Sequence, residues 1–308
     1  MSQTKVSPKI GLVLGSGASR GWSHIGIIKA LLREGIKPDI VCGTSVGAMI
    51  GGCYLAGNLV ALENWVLTST RTDVLRFFNV RLTRSGFVDK DRFSGFLHQY
   101  VAARDVLIEN LPRPFAAIST NLENGREVWF QQGGLADAIR ASMALPGLFP
   151  AVRHNHHWMV DGGLVNPVPV STCRALGAEI VIAVNLNADV VGKRNVRKPE
   201  AEPETAKKKG VLHKVKQTTR GVSNSIFPDN SKDEEPPGLF PSITNSINIV
   251  QDRITRSRLA GDPAEVLISP RLAHIGMLEF HRAAEAIEEG EICVQNALQE
   301  IRKATAEI

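Results

Sequence analysis

Two short apolar runs that end in glycine-rich turns and lead into helical patterns constrain the fold most strongly. Ile10–Leu14 is followed by the glycine loop at residues 15–21 and by apolar residues at helical spacing over 22–34. Residues 39–42 form a second buried run, and the small residues of 46–56 follow as a helix. Such alternation is typical of a parallel sheet covered by helices. We therefore predict a three-layer α/β/α fold with a mostly parallel central sheet.

Further elements follow from the same kinds of pattern. The turn dipeptide Asn124-Gly125 lies between two apolar runs, which predicts an antiparallel hairpin from 115–120 and 127–130. A helix at 135–144 should stop before Pro146, because proline cannot continue a helix. Strands at 157–160 and 179–184 and helices at 172–176, 243–259 and 280–301 complete the prediction.

Residues 192–240 differ in composition from the rest of the chain. Eleven basic and seven acidic residues lie between Lys193 and Phe240, together with five prolines and little apolar periodicity. A segment of this composition buries too little apolar surface to offset its ordering entropy. We predict one α/β domain, in which residues 10–191 form the core, 192–240 a flexible basic insert, and 241–308 helices that complete the same domain.

The cysteines and the apolar runs of the sequence indicate the cellular compartment. The four cysteines are far apart and form no C-x-x-C pair, which argues against a disulfide framework or a thiolate zinc site. The N-terminus shows no signal-peptide pattern. The most apolar stretch, residues 41–55, is shorter than the roughly 20 residues that span a bilayer. We expect a cytoplasmic protein without metal.

Gly43, Ser45 and Gly47 form a G-x-S-x-G pattern between a predicted strand and a predicted helix. This context is that of a nucleophile elbow, in which the serine occupies a strained turn and its hydroxyl projects at the helix N-terminus. The helix dipole there favours developing negative charge. Without that context the pattern is weak evidence, because such short motifs also occur by chance.

The glycine loop at 15–21 ends the first strand and opens the first helix, where backbone N–H groups can bind an anion. Dinucleotide binding is one interpretation, but Arg20 stands at the sixth position of G-x-G-x-x-G. An oxyanion hole beside Ser45 is the second interpretation, and a tight structural turn is the third. A nucleoside-triphosphate P-loop is excluded, because no G-K-[ST] follows.

A serine nucleophile needs a base, and Asp161, before Gly162 and Gly163, is a candidate at the end of a predicted strand. An aspartate at a turn more often caps the backbone. Three nearby histidines suggest a triad or a metal site, but we prefer a polar hairpin turn for His154, His156 and His157. Three later histidines also lack a catalytic context: His213, His274 and His281.

The motifs at 15–21, 43–47 and 161–163, in this order, together resemble the patatin-like phospholipases. The likeness is greatest to the short bacterial patatin-like proteins related to the catalytic domain of neuropathy target esterase. It spans about residues 10–185 and extends more loosely to 258–263. It also covers three shorter segments: residues 22–26, 139–147 and Asn166-Pro167.

The resemblance implies a Ser-Asp dyad without histidine or cofactor, with Ser45 as nucleophile and Asp161 as general base. It also implies an oxyanion hole formed by backbone groups of the glycine loop, at Gly15, Gly17, Ala18 and Arg20. Ser16 and Ala18 stand where relatives often have glycine, but backbone donors do not depend on the side chain. The implied substrates are phospholipids, lysophospholipids or simpler acyl esters.

The insert and two other function classes complete the sequence-based expectations. The basic insert could dock on an anionic membrane surface, at roughly 1 kcal/mol per Lys or Arg. We do not expect nucleic-acid binding, because the insert has almost no aromatic residues. Two alternatives to the hydrolase are a noncatalytic regulatory or adaptor protein that keeps the fold and a dinucleotide-binding oxidoreductase.

Overall fold

The computed structural model describes residues 8–70, 90–190 and 238–306. Its centre is one sheet in the order β5-β6-β3-β2-β1-β7-β8, and β4 also pairs with β3. The strands of these described residues are β1 Ile10–Leu14, β2 Ile40–Thr44, β3 Phe115–Asn121, β4 Glu127–Phe130, β5 Val152–His154, β6 His157–Asp161, β7 Ile180–Val184 and β8 Val266–Ile268.

The five strands β3, β2, β1, β7 and β8 run parallel, whereas β4, β5 and β6 pair antiparallel at one end of the sheet. Carboxyl ends of parallel strands meet at one edge, so the loops that follow β1, β2 and β7 lie together. Antiparallel β6 pairs with the last residues of β3 and therefore ends near the same edge.

Helices connect and cover the strands. In the described part of the chain they are α1 Ser23–Arg33, α2 Val46–Leu55, α3 Leu59–Thr68, α4 Lys90–Phe96, α5 Leu135–Ser142, α6 Val170–Ala175, α7 Leu239–Gly261 and α8 Ala283–Ala306. A 3₁₀ turn, Ala18–Trp22, leads into α1. A π-helical turn, Leu97–Val101, follows α4.

Both faces of the sheet are buried, as the alternation along β1 illustrates. Leu12 and Leu14 pack into a large core that also contains residues of α1, α2 and α8. Val13 points to the opposite face and packs with Val170 and Cys173 of α6. Apolar surface on two faces requires two covering layers. The expected three-layer α/β/α fold with a mostly parallel sheet is therefore confirmed.

Most predicted elements are present, with differences at their ends. β2 continues through Gly43 to Thr44, because its ladder with β3 extends to the Thr44 and Ile118 pair. β8 was not predicted, since its three residues are too few for a periodic signal. β8 lies in the same sheet as β1. The domain boundaries at 191 and 240 stay a prediction. The predicted insert lies outside the described residues up to position 237, and α7 begins at Leu239.

None of the helices in residues 8–70, 90–190 and 238–306 combines the length and apolarity that crossing a bilayer requires.

Helices α1 and α8 cross at two glycines. A Cβ atom on Gly26 would lie 2.0 Å from the Ile287 carbonyl oxygen, and one on Gly290 would lie 2.1 Å from the Ser23 carbonyl oxygen. Both distances are far inside van der Waals contact with backbone atoms, which cannot move aside as a flexible side chain can. The close approach of these two helices therefore requires glycine at both positions.

We predict that Gly290→Ala destabilises the protein by about 1–3 kcal/mol or more, because the new methyl group forces α8 away from α1. The measurement is the free energy of unfolding in urea. Gly95→Ala is the matched control: Gly95 is exposed on α4 and a Cβ there meets no atom within 4 Å. Alanine is the better helix former, so this control should leave stability unchanged or slightly raised. Equal stability of the two variants would contradict the prediction.

Candidate active site

Ser45 lies at the sharp turn between β2 and α2. Its backbone has φ 58° and ψ −124°, in a region that residues with a side chain rarely adopt. The turn is tight: a Cβ on Gly47 would lie 2.0 Å from the Leu14 carbonyl oxygen. A strained serine between closely packed glycines is the geometry of a nucleophile elbow. The Ser45 side chain therefore projects beyond the carboxyl edge of the sheet, at the N-terminus of α2.

The register of β3 brings the predicted base to Ser45. Thr44 of β2 pairs with Ile118, and the next residue of β3, Ser119, pairs with Asp161 of β6. Because Thr44 and Asp161 pair with neighbouring residues of β3 from opposite sides, the side chain of Ser45 and that of Asp161 face each other across a short gap. Across it the Ser45 hydroxyl donates to Asp161 Oδ2 at 2.6 Å, although the two residues are 116 positions apart in the chain.

Burial sets the protonation of Asp161. The residue is 1% exposed, and removal from water disfavours its charged form. Hydrogen bonds from the Ser45 hydroxyl and from the Gly163 N–H, at 2.7 Å to Oδ1, act in the opposite direction. Burial is the larger effect and raises the pKa of Asp161 to about 6. The carboxylate is therefore a stronger base than an exposed aspartate and is still ionised at neutral pH.

Backbone groups of the glycine loop fall into two sets. The N–H of Gly15 donates to the Val184 carbonyl at 3.1 Å, and that of Arg20 donates to the Gly17 carbonyl at 3.3 Å. The N–H groups of Gly17 and Ala18 have no hydrogen-bond partner in the part of the chain that the structure describes. Ala18 has a positive φ of 50°, which marks the point where the loop turns into α1.

Two basic side chains hold the glycine loop from inside. Arg20 is 2% exposed, and its guanidinium donates to the carbonyls of Gly17 and Leu186 and to Asn248 Oδ1. Nε2 of fully buried His24 lies 2.9 Å from the Gly15 carbonyl and must carry the proton, since a carbonyl only accepts. Burial lowers the pKa of His24 to about 4, so the ring is neutral at physiological pH.

Ser142 fixes the backbone of Ser45. The N–H of Ser45 donates to Ser142 Oγ at 2.9 Å, and the Ser142 hydroxyl donates to the Ile118 carbonyl at 2.5 Å. The end of α5 is thereby tied to both β3 and the elbow. The sequence placed Ser142 within a segment of family resemblance but gave it no role, because its partners are distant in the chain.

The structure places His154, His156, His157 and His274, all within its described residues, in settings other than the Ser45–Asp161 pair. His154 and His157 pair across β5 and β6, with His156 in the turn, which confirms the predicted polar hairpin. His274 lies on the surface with its Nε2 at 2.5 Å from Glu285 Oε1. His213 lies outside the described residues. No group of three or more potential metal ligands of His, Cys, Asp or Glu occurs in residues 8–70, 90–190 and 238–306.

Comparison with known proteins identifies the family. The sequence profile of the patatin-like phospholipases matches residues 12–174, more than half of the chain. The chain belongs to the patatin-like phospholipase family. The family profile thus includes Ser45, Asp161 and the glycine loop, which the fold brings to one edge of the sheet.

The similarity to one relative covers nearly the whole chain. An uncharacterized NTE family protein of Mycobacterium tuberculosis is 31% identical, over 95% of this chain and 92% of its own length. Lysophospholipase NTE1 of Yarrowia lipolytica is 38% identical, but the match covers 58% of this chain and 13% of the fungal protein. The crystal structure of VipD from Legionella pneumophila gives a TM-score of 0.46 at 12% identity, covering 95% of this chain and 67% of VipD.

We predict that Asp161→Asn stabilises this patatin-like protein at neutral pH. A pKa raised from 3.8 to about 6 means that the ionised carboxylate costs the folded state up to about 3 kcal/mol above pH 6, and nothing below about pH 4. The neutral amide removes this cost and fits the same space. The measurement is the free energy of unfolding of both proteins at pH 7.5 and pH 4.

The expected difference is about 2–3 kcal/mol at pH 7.5 and falls towards zero at pH 4. Asp105→Asn serves as the control, because Asp105 is exposed and its replacement should change stability by less than about 0.5 kcal/mol. A stability gain for Asp161→Asn that does not depend on pH would contradict the electrostatic cause.

Proposed function

We propose that the protein hydrolyses acyl esters of phospholipids or lysophospholipids through a covalent acyl-enzyme on Ser45. The observation that carries the proposal is the 2.6 Å hydrogen bond from the Ser45 hydroxyl to buried Asp161 at a strained strand-to-helix turn. Membership of the patatin-like phospholipases supports lipid-ester hydrolysis as the reaction class. The fungal relative, named a lysophospholipase, supports the same class of substrate.

Asp161 Oδ2 takes the Ser45 proton while Oγ attacks the ester carbonyl. The resulting tetrahedral intermediate collapses when the leaving alcohol receives that proton from Asp161, which leaves an acyl group on Ser45. Water then attacks the acyl group while Asp161 takes its proton. The bond between the acyl group and Ser45 Oγ breaks, Oγ receives that proton from Asp161, and the fatty acid is released. The raised pKa of Asp161 suits both directions of proton transfer, because it lies nearer the working pH than that of an ordinary carboxyl group.

The oxyanion of the intermediate needs donors that make no other hydrogen bond. We assign this role to the N–H groups of Gly17 and Ala18, because those of Gly15 and Arg20 already donate to backbone carbonyls. Arg20 and His24 then act on the loop through Gly17 and Gly15, whose carbonyls they hold. One oxyanion donor is typically worth about 3–4 kcal/mol of barrier, so loop geometry matters nearly as much as the dyad.

Aromatic side chains pack in pairs in the region from α3 to the segment that follows α5. Phe93 packs on Phe149 with ring centroids 4.6 Å apart, and Trp65 packs on Phe96 at 4.7 Å. These contacts are core packing. Four further apolar residues between α3 and α4 lie outside the described residues: Leu75, Phe77, Phe78 and Phe87. Docking of the basic segment 192–240 on anionic lipid also stays a prediction.

We predict that Ser45→Ala abolishes hydrolysis of phospholipid, lysophospholipid and neutral acyl esters while leaving the free energy of unfolding within about 1 kcal/mol. A fluorophosphonate probe, which reacts with activated serines, should label the native protein but not this variant. Ser257→Ala on the exposed face of α7 is the matched control and should keep both activity and labelling. Turnover by Ser45→Ala at the native rate would falsify the proposed mechanism.

We also predict that kcat/KM for a neutral acyl ester falls about tenfold per pH unit below pH 6. The free enzyme needs ionised Asp161, and its pKa of about 6 places the loss of base within this range. His24 does not contribute to this fall in kcat/KM, because its pKa of about 4 keeps the ring neutral until lower pH. A rate that stays constant down to pH 4 would show that Asp161 is not the base.

A further inference from the structure

Helix α7 turns a polar face inwards. Four polar side chains along this face are at most 6% exposed: Asn248, Gln251, Asp252 and Thr255. Large apolar side chains of the same helix, such as Ile243 and Val250, are more than 40% exposed. A helix held only by apolar burial shows the opposite distribution. Two of these buried polar side chains, Asn248 and Gln251, have hydrogen-bond partners in the loops beneath the helix.

Gln251 joins two loops at the carboxyl edge of the sheet. Its Oε1 accepts a hydrogen bond from the hydroxyl of Ser16, in the glycine loop after β1, at 3.2 Å. The same oxygen accepts from Nδ2 of Asn187, in the loop after β7, at 3.1 Å. One buried amide oxygen thus fixes the distance between the glycine loop and its neighbour.

The other end of the Gln251 amide touches the loop of the base. A Cβ on Gly163 would lie 2.4 Å from Gln251 Nε2, so the amide packs directly on the Gly163 backbone. The N–H of this glycine donates to Asp161 Oδ1. Gln251 therefore contacts both the loop that carries Gly17 and Ala18 and the segment that orients Asp161. Asn248, one turn earlier on α7, bonds Arg20 of the same glycine loop at 3.1 Å.

We infer that Gln251 is a positioning residue that sets the placement of the oxyanion loop relative to Asp161. The inference rests on the proposed function, because it assumes that Ser45, Asp161 and the glycine loop act together. Gln251 has no role in proton transfer; it acts through Ser16, Asn187 and Gly163. A displacement of about 1 Å between such groups can reduce turnover about 100-fold.

The test compares Gln251→Leu with Thr255→Val in the full chain. Leucine keeps a side chain of similar size but removes both accepted hydrogen bonds. Thr255 is the matched control, since it lies one turn away on the same face, is 1% exposed, and has a hydroxyl without a partner among the described residues. We expect kcat for a neutral acyl ester to fall about 10- to 100-fold in Gln251→Leu, with KM changed less than about threefold.

Thr255→Val should keep the native kcat. Ser16→Ala should lower kcat in the same direction, and adding it to Gln251→Leu should cost little more than Gln251→Leu alone, because both remove the same hydrogen bond. Native kcat in Gln251→Leu, or an equal loss in Thr255→Val, would overturn the inference. A loss confined to KM would also overturn it.

Amide hydrogen exchange separates this inference from the proposed function. Exchange of the backbone amides at 15–19 and 161–165 should rise at least about tenfold in Gln251→Leu and stay native in Thr255→Val, whether or not any ester is hydrolysed. Unchanged exchange in these two loops would overturn the positioning role. Hydrolysis by Ser45→Ala would instead overturn the proposed function and leave the exchange result as evidence on Gln251 alone.

Discussion

The pairing of β3 with two different strands at consecutive positions is the constraint on which the rest of the site depends. Ile118 pairs with Thr44 of β2 and Ser119 with Asp161 of β6. A slip of one residue in the β3-β6 ladder would turn Asp161 to the other face of the sheet, and a slip in the β2-β3 ladder would shift Ser45 relative to it. Neither the elbow nor the Asp161 turn can form the hydrogen-bonded pair alone, because each contributes one side chain.

Several polar side chains of the candidate site are buried as deeply as the apolar side chains of the core. Asp161, Arg20 and His24 are each at most 2% exposed. Burying such groups is costly unless hydrogen bonds replace the lost water. Here backbone groups of the loops supply most of the replacing hydrogen bonds, and the Ser45 hydroxyl and Asn248 Oδ1 supply the others. The same hydrogen bonds fix the geometry of the loops. The polar face of α7 belongs to the same network, since it satisfies Ser16 and Arg20.

Local patterns predicted the fold and the separate motifs around Ser45 and Asp161, whereas contacts between residues far apart in the sequence leave no local signal. β1, the elbow and the β3-β4 hairpin carry their signals within a few residues, and the family resemblance connected Ser45 to Asp161. Ser142 and Gln251 carry no such signal, because their roles arise from partners far away in sequence. In α7 the apolar spacing predicted a helix but not its inward face, which is polar because the loops beneath it, at the carboxyl edge of the sheet, are polar.

The hydrogen bond between Ser16 and Gln251 connects two residues that are 235 positions apart in the sequence. During synthesis Ser45, Asp161 and the glycine loop leave the ribosome before α7 does. The nascent chain therefore contains the loop before Gln251 is available to it. The glycine loop can take its final shape only after α7 has been synthesised and has packed on the sheet.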